Sequence, residues 1–168
     1  MQMPRSSPEM EAYLDIETTG LSPFYCQVTV VGVYLVKGRK SKVVQMVGSD
    51  VTENNLLDAL QGVTFLYTYN GSRFDLPFLE HHLGINLAEN CLHHDLMYDC
   101  WANNLYGGLK RVERQLGIPR QLTGIDGFEA IRLWWRYVND YDKAALATLL
   151  EYNKEDVINL KTLKEKLT

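Results

Sequence analysis

The sequence predicts an α/β fold with a mixed sheet, because of the order in which its periodic segments occur. Segments with the alternating or Val-rich patterns of strands come first, a strand then alternates with a helix, and the rest is helical. This order is typical of helices packed on the faces of a sheet. The 168 residues suffice for one sizeable core, so we expect residues 1–168 to form a single domain, with its core at about residues 11–167.

Five segments have the sequence character of strands. The first alternates apolar and polar residues, and the second and third are rich in Val and Tyr. The turn Lys37–Lys40 joins the second to the third and predicts a hairpin. The predicted strands are Ala12–Glu17, Gln27–Val36, Lys42–Val47, Val63–Tyr69 and Cys91–Asp95, the last as a short edge strand.

Six segments are predicted to be helical. Thr52 is a suitable N-cap for the first of them, and Gly62 follows its end. Pro77 falls in the first turn of the second helix, where a missing N–H group costs nothing. The predicted helices are Glu53–Leu60, a segment starting near Asp75, Asp95–Leu105, Leu109–Leu116, Phe128–Val138 and Lys143–Leu167.

Composition and cysteine usage exclude several classes of protein. No apolar run approaches the roughly 20 residues that cross a bilayer, and Met1–Met10 lacks the apolar centre of a signal peptide. We therefore expect no membrane association and a cytoplasmic location. Three widely spaced cysteines predict reduced thiols and no disulfide-linked partner. The spacing of Cys91, His93, His94 and Cys100 fits no zinc pattern, so we expect buried or half-buried side chains there.

A pair of acids lies in the first predicted strand. Residues i and i+2 of a strand project to one face, so Asp15 and Glu17 lie side by side while Leu14 and Ile16 face the opposite layer. Neighbouring carboxylates raise each other's pKa unless a cation bridges them. The pair fits a cation site, and it equally fits two exposed acids on an amphipathic edge strand.

A third acid, Asp75, stands where a helix begins directly after a predicted core strand. The first turn of a helix leaves backbone N–H groups unpaired, and an aspartate there often accepts a hydrogen bond from them. An N-cap role therefore accounts for Asp75 without any function, and a role as a metal ligand stays open beside it.

The last helix carries a fourth acid within its apolar face. The stripe at helical spacing consists of Ala145, Leu149, Tyr152, Asp156, Leu160 and Leu163. An unpaired carboxylate is costly in an apolar face, so Asp156 needs either an arginine partner or a divalent metal. Lys154 and Glu155 lie off this stripe, and we expect both to be solvated.

The four acids stand at the ends of predicted core elements. We therefore expect Asp15, Glu17, Asp75 and Asp156 to converge on hard divalent cations, which prefer oxygen ligands. A net charge of −4 argues against tight binding of duplex nucleic acid through phosphates alone. It does not argue against a nuclease, because bound cations supply positive charge where a phosphate lies.

These motifs resemble a known family, the DEDDy branch of the DnaQ-like 3′–5′ exonucleases in the ribonuclease H-like superfamily. The three exonuclease motifs of that branch have counterparts in Asp15-x-Glu17, Asn70-x-x-x-Phe74-Asp75 and Tyr152-x-x-x-Asp156. The related branch with a histidine has that residue where Glu151 stands here. The tyrosine branch is therefore favoured.

Two further resemblances cover the middle of the chain. The segments 68–71 and 74–77 are similar to proofreading domains of family B DNA polymerases. The segments 94–96 and 108–118 resemble stand-alone proteins of the YprB-like ribonuclease H-like group. In all, the resemblance spans about Tyr13 to Leu163, and the chain carries no polymerase domain beside it.

The resemblance implies a ribonuclease H-like fold, with a mixed five-stranded sheet whose second strand is antiparallel to the others and with helices on its faces. It implies a metal-dependent 3′–5′ exonuclease that uses two divalent cations, Mg²⁺ or Mn²⁺. The expected substrate is the 3′ end of a single-stranded DNA or RNA.

The resemblance also implies a role for each motif residue. Asp15 would bridge two ions, Glu17 and Asp156 would hold the ion that activates water, and Asp75 would act through water on the other ion. Tyr152 would position the attacking water. The expected catalytic residues are thus Asp15, Glu17, Asp75, Tyr152 and Asp156, and the four acids are the expected metal ligands.

Several residues beside these motifs are candidates for contact with the substrate strand. The expected substrate-binding residues are Thr18, Asn70, Arg73 and Phe74. The basic residues Lys110, Arg111, Arg114 and Arg120 are candidates for contacts with the nucleic-acid backbone, and a solvated helix face accounts for them equally well.

Two alternative functions stay open at this stage. The same fold serves endonucleases that resemble ribonuclease H or recognise a particular nucleic-acid structure, and the Tyr152-x-x-x-Asp156 motif favours the exonuclease over these. A non-catalytic module that binds nucleic acid is the other alternative. Such a module is expected to lose ligands, whereas all five catalytic positions are filled here.

Overall fold

A mixed five-stranded sheet forms the centre of the computed structural model, which describes residues 5–168. The strands are β1 (Met10–Thr18), β2 (Val28–Lys37), β3 (Lys40–Val47), β4 (Phe65–Thr68) and β5 (Leu92–Asp95). Their order is β3-β2-β1-β4-β5; β2 is antiparallel to both its neighbours, whereas β1, β4 and β5 are parallel. The predicted ribonuclease H-like sheet with an antiparallel second strand is confirmed. Residues 1–4, within the segment for which no signal peptide is expected, lie outside the described residues.

Seven α-helices accompany the sheet in the described part of the chain. They are α1 (Glu53–Ala59), α2 (Asp75–Leu83), α3 (Leu87–Asn90), α4 (Leu96–Ala102), α5 (Leu109–Leu116), α6 (Gly127–Asp140) and α7 (Lys143–Leu167). The predicted N-cap Thr52 accepts a hydrogen bond from the Asn55 N–H group at 3.1 Å. Two single-turn elements, α3 and a 3₁₀ turn at Gly48–Asp50, were not predicted from the sequence, because such short turns lack a readable period.

The two faces of the sheet pack against different helices. Leu14 and Ile16 of β1 belong to the core that includes Leu56 of α1 and Phe78 of α2. Tyr13 belongs to a second core on the opposite face, with residues of α4, α5 and α7. The predicted alternation of β1 is therefore confirmed, and Asp15 and Glu17 share the side of the strand on which α7 packs.

The long helix α7 lies across β1 and β2 and buries the stripe that its sequence predicts. All six stripe positions are buried, namely Ala145, Leu149, Tyr152, Asp156, Leu160 and Leu163. A carboxylate and a phenol are thus fixed over the end of β1. Within residues 5–168, no helix combines the length and the apolar character needed to span a bilayer.

Candidate metal centre

Three carboxylates converge where β1 passes under α7. Asp15 and Glu17 extend from one face of β1, and Asp156 reaches them from the buried face of α7. One carboxylate oxygen from each residue lies within 4.8 Å of the others. Among the described residues, this is the one group of three or more His, Cys, Asp or Glu side chains with such spacing. Carboxylate oxygens at this separation are donors suited to Mg²⁺ or Mn²⁺.

The electrostatics of these acids oppose ionisation in the protein alone. Burial raises the pKa of Asp15 well above its ordinary value, and the charges of Asp156, Glu17 and Asp75 raise it further. Burial likewise raises the pKa of Glu17, with the charge of Asp156 as the next cause. Mutual repulsion of this kind is relieved when a divalent cation lies between the carboxylates.

Asp75 lies beside this group but outside its 4.8 Å limit. Its Oδ2 accepts a hydrogen bond from the backbone N–H of Ile16 at 3.1 Å, so the carboxylate is tied to β1 between the two acids of that strand. Burial raises the pKa of Asp75 to about 7, against the hydrogen bond from Ile16, which lowers it.

The N-cap interpretation of Asp75 is wrong. The residue at the N-cap of α2 is Phe74, and no side chain caps this helix. The carboxylate turns instead to β1, because the β1–β4 pairing ends at Tyr13 and leaves the N–H of Ile16 without a strand partner on that edge.

Asp156 has two cationic neighbours that the sequence did not assign to it. Nη2 of Arg120 donates to Oδ1 of Asp156, and Nζ of Lys110 lies 3.5 Å from the same oxygen. Arg120 also forms a two-point contact with Glu113, at 2.5 Å from Nε and 2.7 Å from Nη2. Glu113 is only 1% exposed, so this pair fixes Arg120 from inside the protein. Of the two partners that the sequence allowed for Asp156, an arginine or a metal, the structure shows an arginine at Oδ1.

Tyr152 lies one turn before Asp156 and is buried. Nζ of Lys110 lies 4.4 Å from the centre of its ring. Burial raises the pKa of the Tyr152 phenol, and the charges of Asp156, Glu17 and Asp15 raise it further. The phenol is therefore protonated at neutral pH, so it can donate a hydrogen bond but cannot serve as a base.

Asn153 is a residue of the site that sequence reasoning missed. Its Nδ2 donates both to the backbone oxygen and to Oδ2 of Asp15, each at 3.1 Å. Its Oδ1 accepts from Nε2 of Gln45 on β3 at 3.0 Å. Asn153 fits there because Gly32, opposite Asp15 on β2, has no side chain; a Cβ at that position would lie 2.0 Å from Oδ1 of Asn153. These contacts hold the carboxylate of Asp15 in one orientation.

A cavity of about 700 Å³ adjoins Glu17. Thr18 and Phe74, two of the predicted substrate-binding residues, line it together with Leu21 and Phe128. Leu21 and Phe128 are largely exposed, so the cavity presents an open apolar wall beside the acids.

The other two predicted substrate-binding residues lie outside this cavity. Asn70, at φ 61°, donates its N–H to Asp95 at 2.8 Å and shapes the turn before α2. Arg73 is exposed and stacks over Trp101, 5.4 Å from the ring centre. The structure therefore brings Thr18 and Phe74 to the acids, whereas Asn70 and Arg73 belong to the neighbouring turn.

Two smaller expectations have different outcomes. Lys154 and Glu155, both expected to be solvated, are half-buried. The carboxylate of Glu155 accepts from the backbone N–H groups of Gln121 and Leu122 at 2.7 and 2.8 Å and anchors the segment after Arg120. Cys91 and Cys100 are buried free thiols, as expected. His93 is half-buried, with its Nε2 2.8 Å from the hydroxyl of Thr68, whereas His94 is exposed, against the expectation.

The sequence of nearly the whole chain matches one protein family. Residues 12–168 match the RNase_H superfamily, and this range includes the three clustered acids, Asp75 and Tyr152. The chain belongs to the RNase_H superfamily. No curated protein sequence matches it significantly.

Several solved structures are similar in fold to this RNase_H superfamily member. The family B DNA polymerase of Pyrobaculum calidifontis is similar over 99% of this chain, with a TM-score of 0.75 and 20% identity. This chain spans 25% of the polymerase's length. NrnC of Brucella melitensis with bound Mg²⁺ is similar over 96% of this chain and 72% of its own, with a TM-score of 0.61 and 22% identity. NrnC bound to pGG is similar over 98% and 76%, with a TM-score of 0.63 and 22% identity. At these identities the likeness is one of fold.

The donor set of this RNase_H superfamily member fits a divalent cation on its own geometry. All three clustered ligands are carboxylates, and the pKa values of Asp15 and Glu17 are raised in the metal-free protein. A soft metal such as zinc favours Cys and His, and neither residue belongs to the group. The candidate centre is therefore suited to a hard divalent cation.

Proposed function

We propose that this chain is a metal-dependent 3′–5′ exonuclease of the DEDDy type that acts on single-stranded DNA or RNA ends. The observation that carries the proposal is the meeting of Asp15, Glu17 and Asp156 within 4.8 Å, with the buried phenol of Tyr152 one helical turn away. The fold brings acids from distant parts of the sequence together although their charges repel each other. A bound cation would offset this repulsion, which explains why such an arrangement is present.

The side chains divide the work by position. Asp15, Glu17 and Asp156 would hold two divalent cations, and Asp75 would act through water. Two cations held in this way would supply positive charge to both the attacking and the leaving oxygen of an in-line displacement. Asn153 keeps the Asp15 carboxylate in one orientation. The oxygen of a water molecule bonds to phosphorus as the P–O3′ bond breaks. The released product is a nucleoside 5′-monophosphate that carries the water's oxygen, and one proton passes to O3′, which becomes the new 3′-hydroxyl of the strand.

Tyr152 would position the attacking water. Its raised pKa keeps the phenol protonated, so its O–H can hold a water molecule by donating to it. Lys110 lies over the ring and contacts Asp156, so the phenol and the carboxylate share one cationic neighbour. This arrangement supports a role in orientation rather than in proton removal.

The apolar cavity beside Glu17 supports an unpaired end as substrate. Phe74 and Phe128 offer aromatic surface there, and base–aromatic stacking tolerates any base. The Mg²⁺ and pGG in the similar NrnC structures agree with a metal-dependent enzyme that takes nucleic acid. We further propose that the chain forms one domain, is cytoplasmic and belongs with the YprB-like stand-alone group.

A time course on end-labelled strands tests the proposed reaction. With Mn²⁺ or Mg²⁺, a strand labelled at its 5′ end should give a ladder that shortens one nucleotide at a time, because removal starts at the other end. A strand labelled at its 3′ end should release labelled mononucleotide from the first time point. DNA, RNA, duplex and hybrid substrates establish the preferred sugar and strandedness, and EDTA should stop the reaction.

A circular single strand is the matched control, because it has no end. An exonuclease leaves it intact, whereas an endonuclease of the ribonuclease H type opens it. Opening of the circle at a rate comparable with degradation of the linear strand would contradict the proposal.

The variant Tyr152→Phe tests the proposed role of the phenol. It removes one hydroxyl and keeps the ring under Lys110, so we expect a loss in kcat of less than about 10²-fold, typical of lost positioning. The pH profile of kcat should keep its shape, because the phenol stays protonated throughout. A variant equal to the unaltered enzyme at every pH would exclude the role.

A further inference from the structure

A second cavity, of about 320 Å³, is lined by residues of α5 and of the segment that follows this helix. Three basic side chains line it, Lys110, Arg114 and Arg120, and we call it the basic pocket. Glu113 is the one acidic residue among those lining it. Its lining therefore carries more positive than negative charge, although the chain as a whole has a net charge of −4.

Arg120 carries a hydrogen-bond donor that no protein group uses. Its Nε and Nη2 are engaged by Glu113 and Asp156, but Nη1 is buried and has no partner in the described part of the chain. The Arg120 side chain is only 10% exposed, so bulk water does not satisfy this donor. A buried donor without a partner costs about 1–3 kcal/mol. The guanidinium that carries this donor is one of the three cationic groups that line the pocket.

The other two cations are arranged to serve the same acceptor. Lys110 and Arg114 lie four residues apart on α5, hence on one face of the helix, where two like charges disfavour each other. Arg114 is exposed and forms no salt bridge within residues 5–168. Thr123 adds a hydroxyl group to the wall. A planar guanidinium, an ammonium and a hydroxyl around one space suit an oxyanion with several acceptor oxygens, as in a phosphate.

We propose that the basic pocket binds a phosphate group of the nucleic-acid strand whose 3′ end lies at the acids. Lys110 and Arg120 both contact Asp156, so the pocket and the metal centre share a wall. The strand would thus meet the apolar cavity beside Glu17 with its bases and the basic pocket with its backbone. In taking the strand as the ligand, this inference rests on the proposed function.

Equilibrium binding of a labelled single-stranded oligonucleotide in EDTA tests the pocket without metal or turnover. Arg114→Gln is the main variant, because an exposed side chain can be replaced without unfolding the protein. Its Kd should rise several-fold, and the slope of log K against log salt should fall by about 0.7, the value for one lost phosphate contact on a single strand. Arg39→Gln is the charge-matched control. Arg39 lies in the turn between β2 and β3, at the end of β2 away from the metal centre, so we expect no change in the Kd or in the salt slope.

Inorganic phosphate added at constant ionic strength separates two sources of the anion. If it displaces the oligonucleotide from the unaltered protein and does so less from Arg114→Gln, the pocket also accepts free phosphate. If it displaces nothing, the ligand is a phosphodiester within the strand. Equal Kd and equal salt slope for Arg114→Gln and the unaltered protein would overturn the pocket. Binding with these signatures but no release of nucleotides would instead overturn the exonuclease and leave the pocket in place.

Discussion

Replacement of Asp15 by Asn is expected to abolish metal-dependent nucleotide release. Asp15 belongs to the acid group, and the charges of Asp156, Glu17 and Asp75 all raise its pKa. Loss of its charge removes several kcal/mol of transition-state stabilisation from the proposed centre, a fall in rate on the order of 10³-fold. Release of labelled mononucleotide under Mn²⁺ measures the effect.

The same variant should be more stable than the unaltered protein when metal is absent. An amide has the shape of the carboxylate and can still bond to Asn153, while the repulsion from Glu17 and Asp156 disappears. Asp58→Asn, an exposed change on α1, is the control that should alter neither activity nor melting temperature. Full turnover by Asp15→Asn would remove the basis of the proposed metal centre. A lower melting temperature in EDTA would mean that Asp15 has a structural role instead.

Periodicity made the scaffold predictable. The alternation in β1 and the stripe in α7 are local patterns, and each follows from burial of one face of a regular element. The five-stranded mixed sheet with an antiparallel second strand was expected through the resemblance, because no local pattern states the relative direction of two strands. The strand order was not predicted. Asp15, Glu17 and Asp156 cluster because β1 and α7 pack directly on each other, with the buried face of each element turned to the other.

The partners of the acids could not be predicted in the same way. Asn153 meets Gln45 and Asp15 across 108 and 138 residues of chain, and this contact depends on the absence of a side chain at Gly32. Arg120 lies in an irregular segment after α5, where the sequence has no period that fixes a direction. A polar residue such as Asn153, directly beside a predicted catalytic tyrosine on a buried helix face, is the signal that could have been read.

The N-cap interpretation of Asp75 illustrates why local rules fail at this site. An aspartate at the start of a helix ordinarily caps it, yet this one turns away to a strand 59 residues earlier in the chain. The result is a buried carboxylate with a raised pKa next to other carboxylates. The helix therefore lacks a side-chain cap, and the carboxylate contributes to a concentration of negative charge instead. Such departures from local rules are common at functional sites.

Divalent metal is expected to stabilise the protein strongly, and increasingly so as the pH rises. An ion that binds the folded state alone contributes about 2.7 kcal/mol at a concentration of about 100 times its Kd. For a chain of this size that corresponds to a rise of about 5–10 °C in melting temperature. Thermal melts in EDTA and in Mn²⁺, from pH 5 to pH 8, measure the difference.

The direction of the pH dependence follows from the raised pKa values. The carboxyl of Asp75 has a pKa of about 7 in the fold and 3.8 ordinarily, so its contribution to stability is present at low pH and is lost as the pH rises through about 7. Asp15 and Glu17 are shifted in the same direction. Without metal, the free energy of unfolding should therefore fall as the pH rises from about 4 to about 7. Metal competes with protons for the same oxygens, so its stabilising effect should be small at pH 5 and largest near pH 8. In Asp15→Asn, the rise in melting temperature on addition of Mn²⁺ should disappear. Melting curves of the unaltered protein that are identical with EDTA and with Mn²⁺ at pH 8 would contradict a metal centre at these acids.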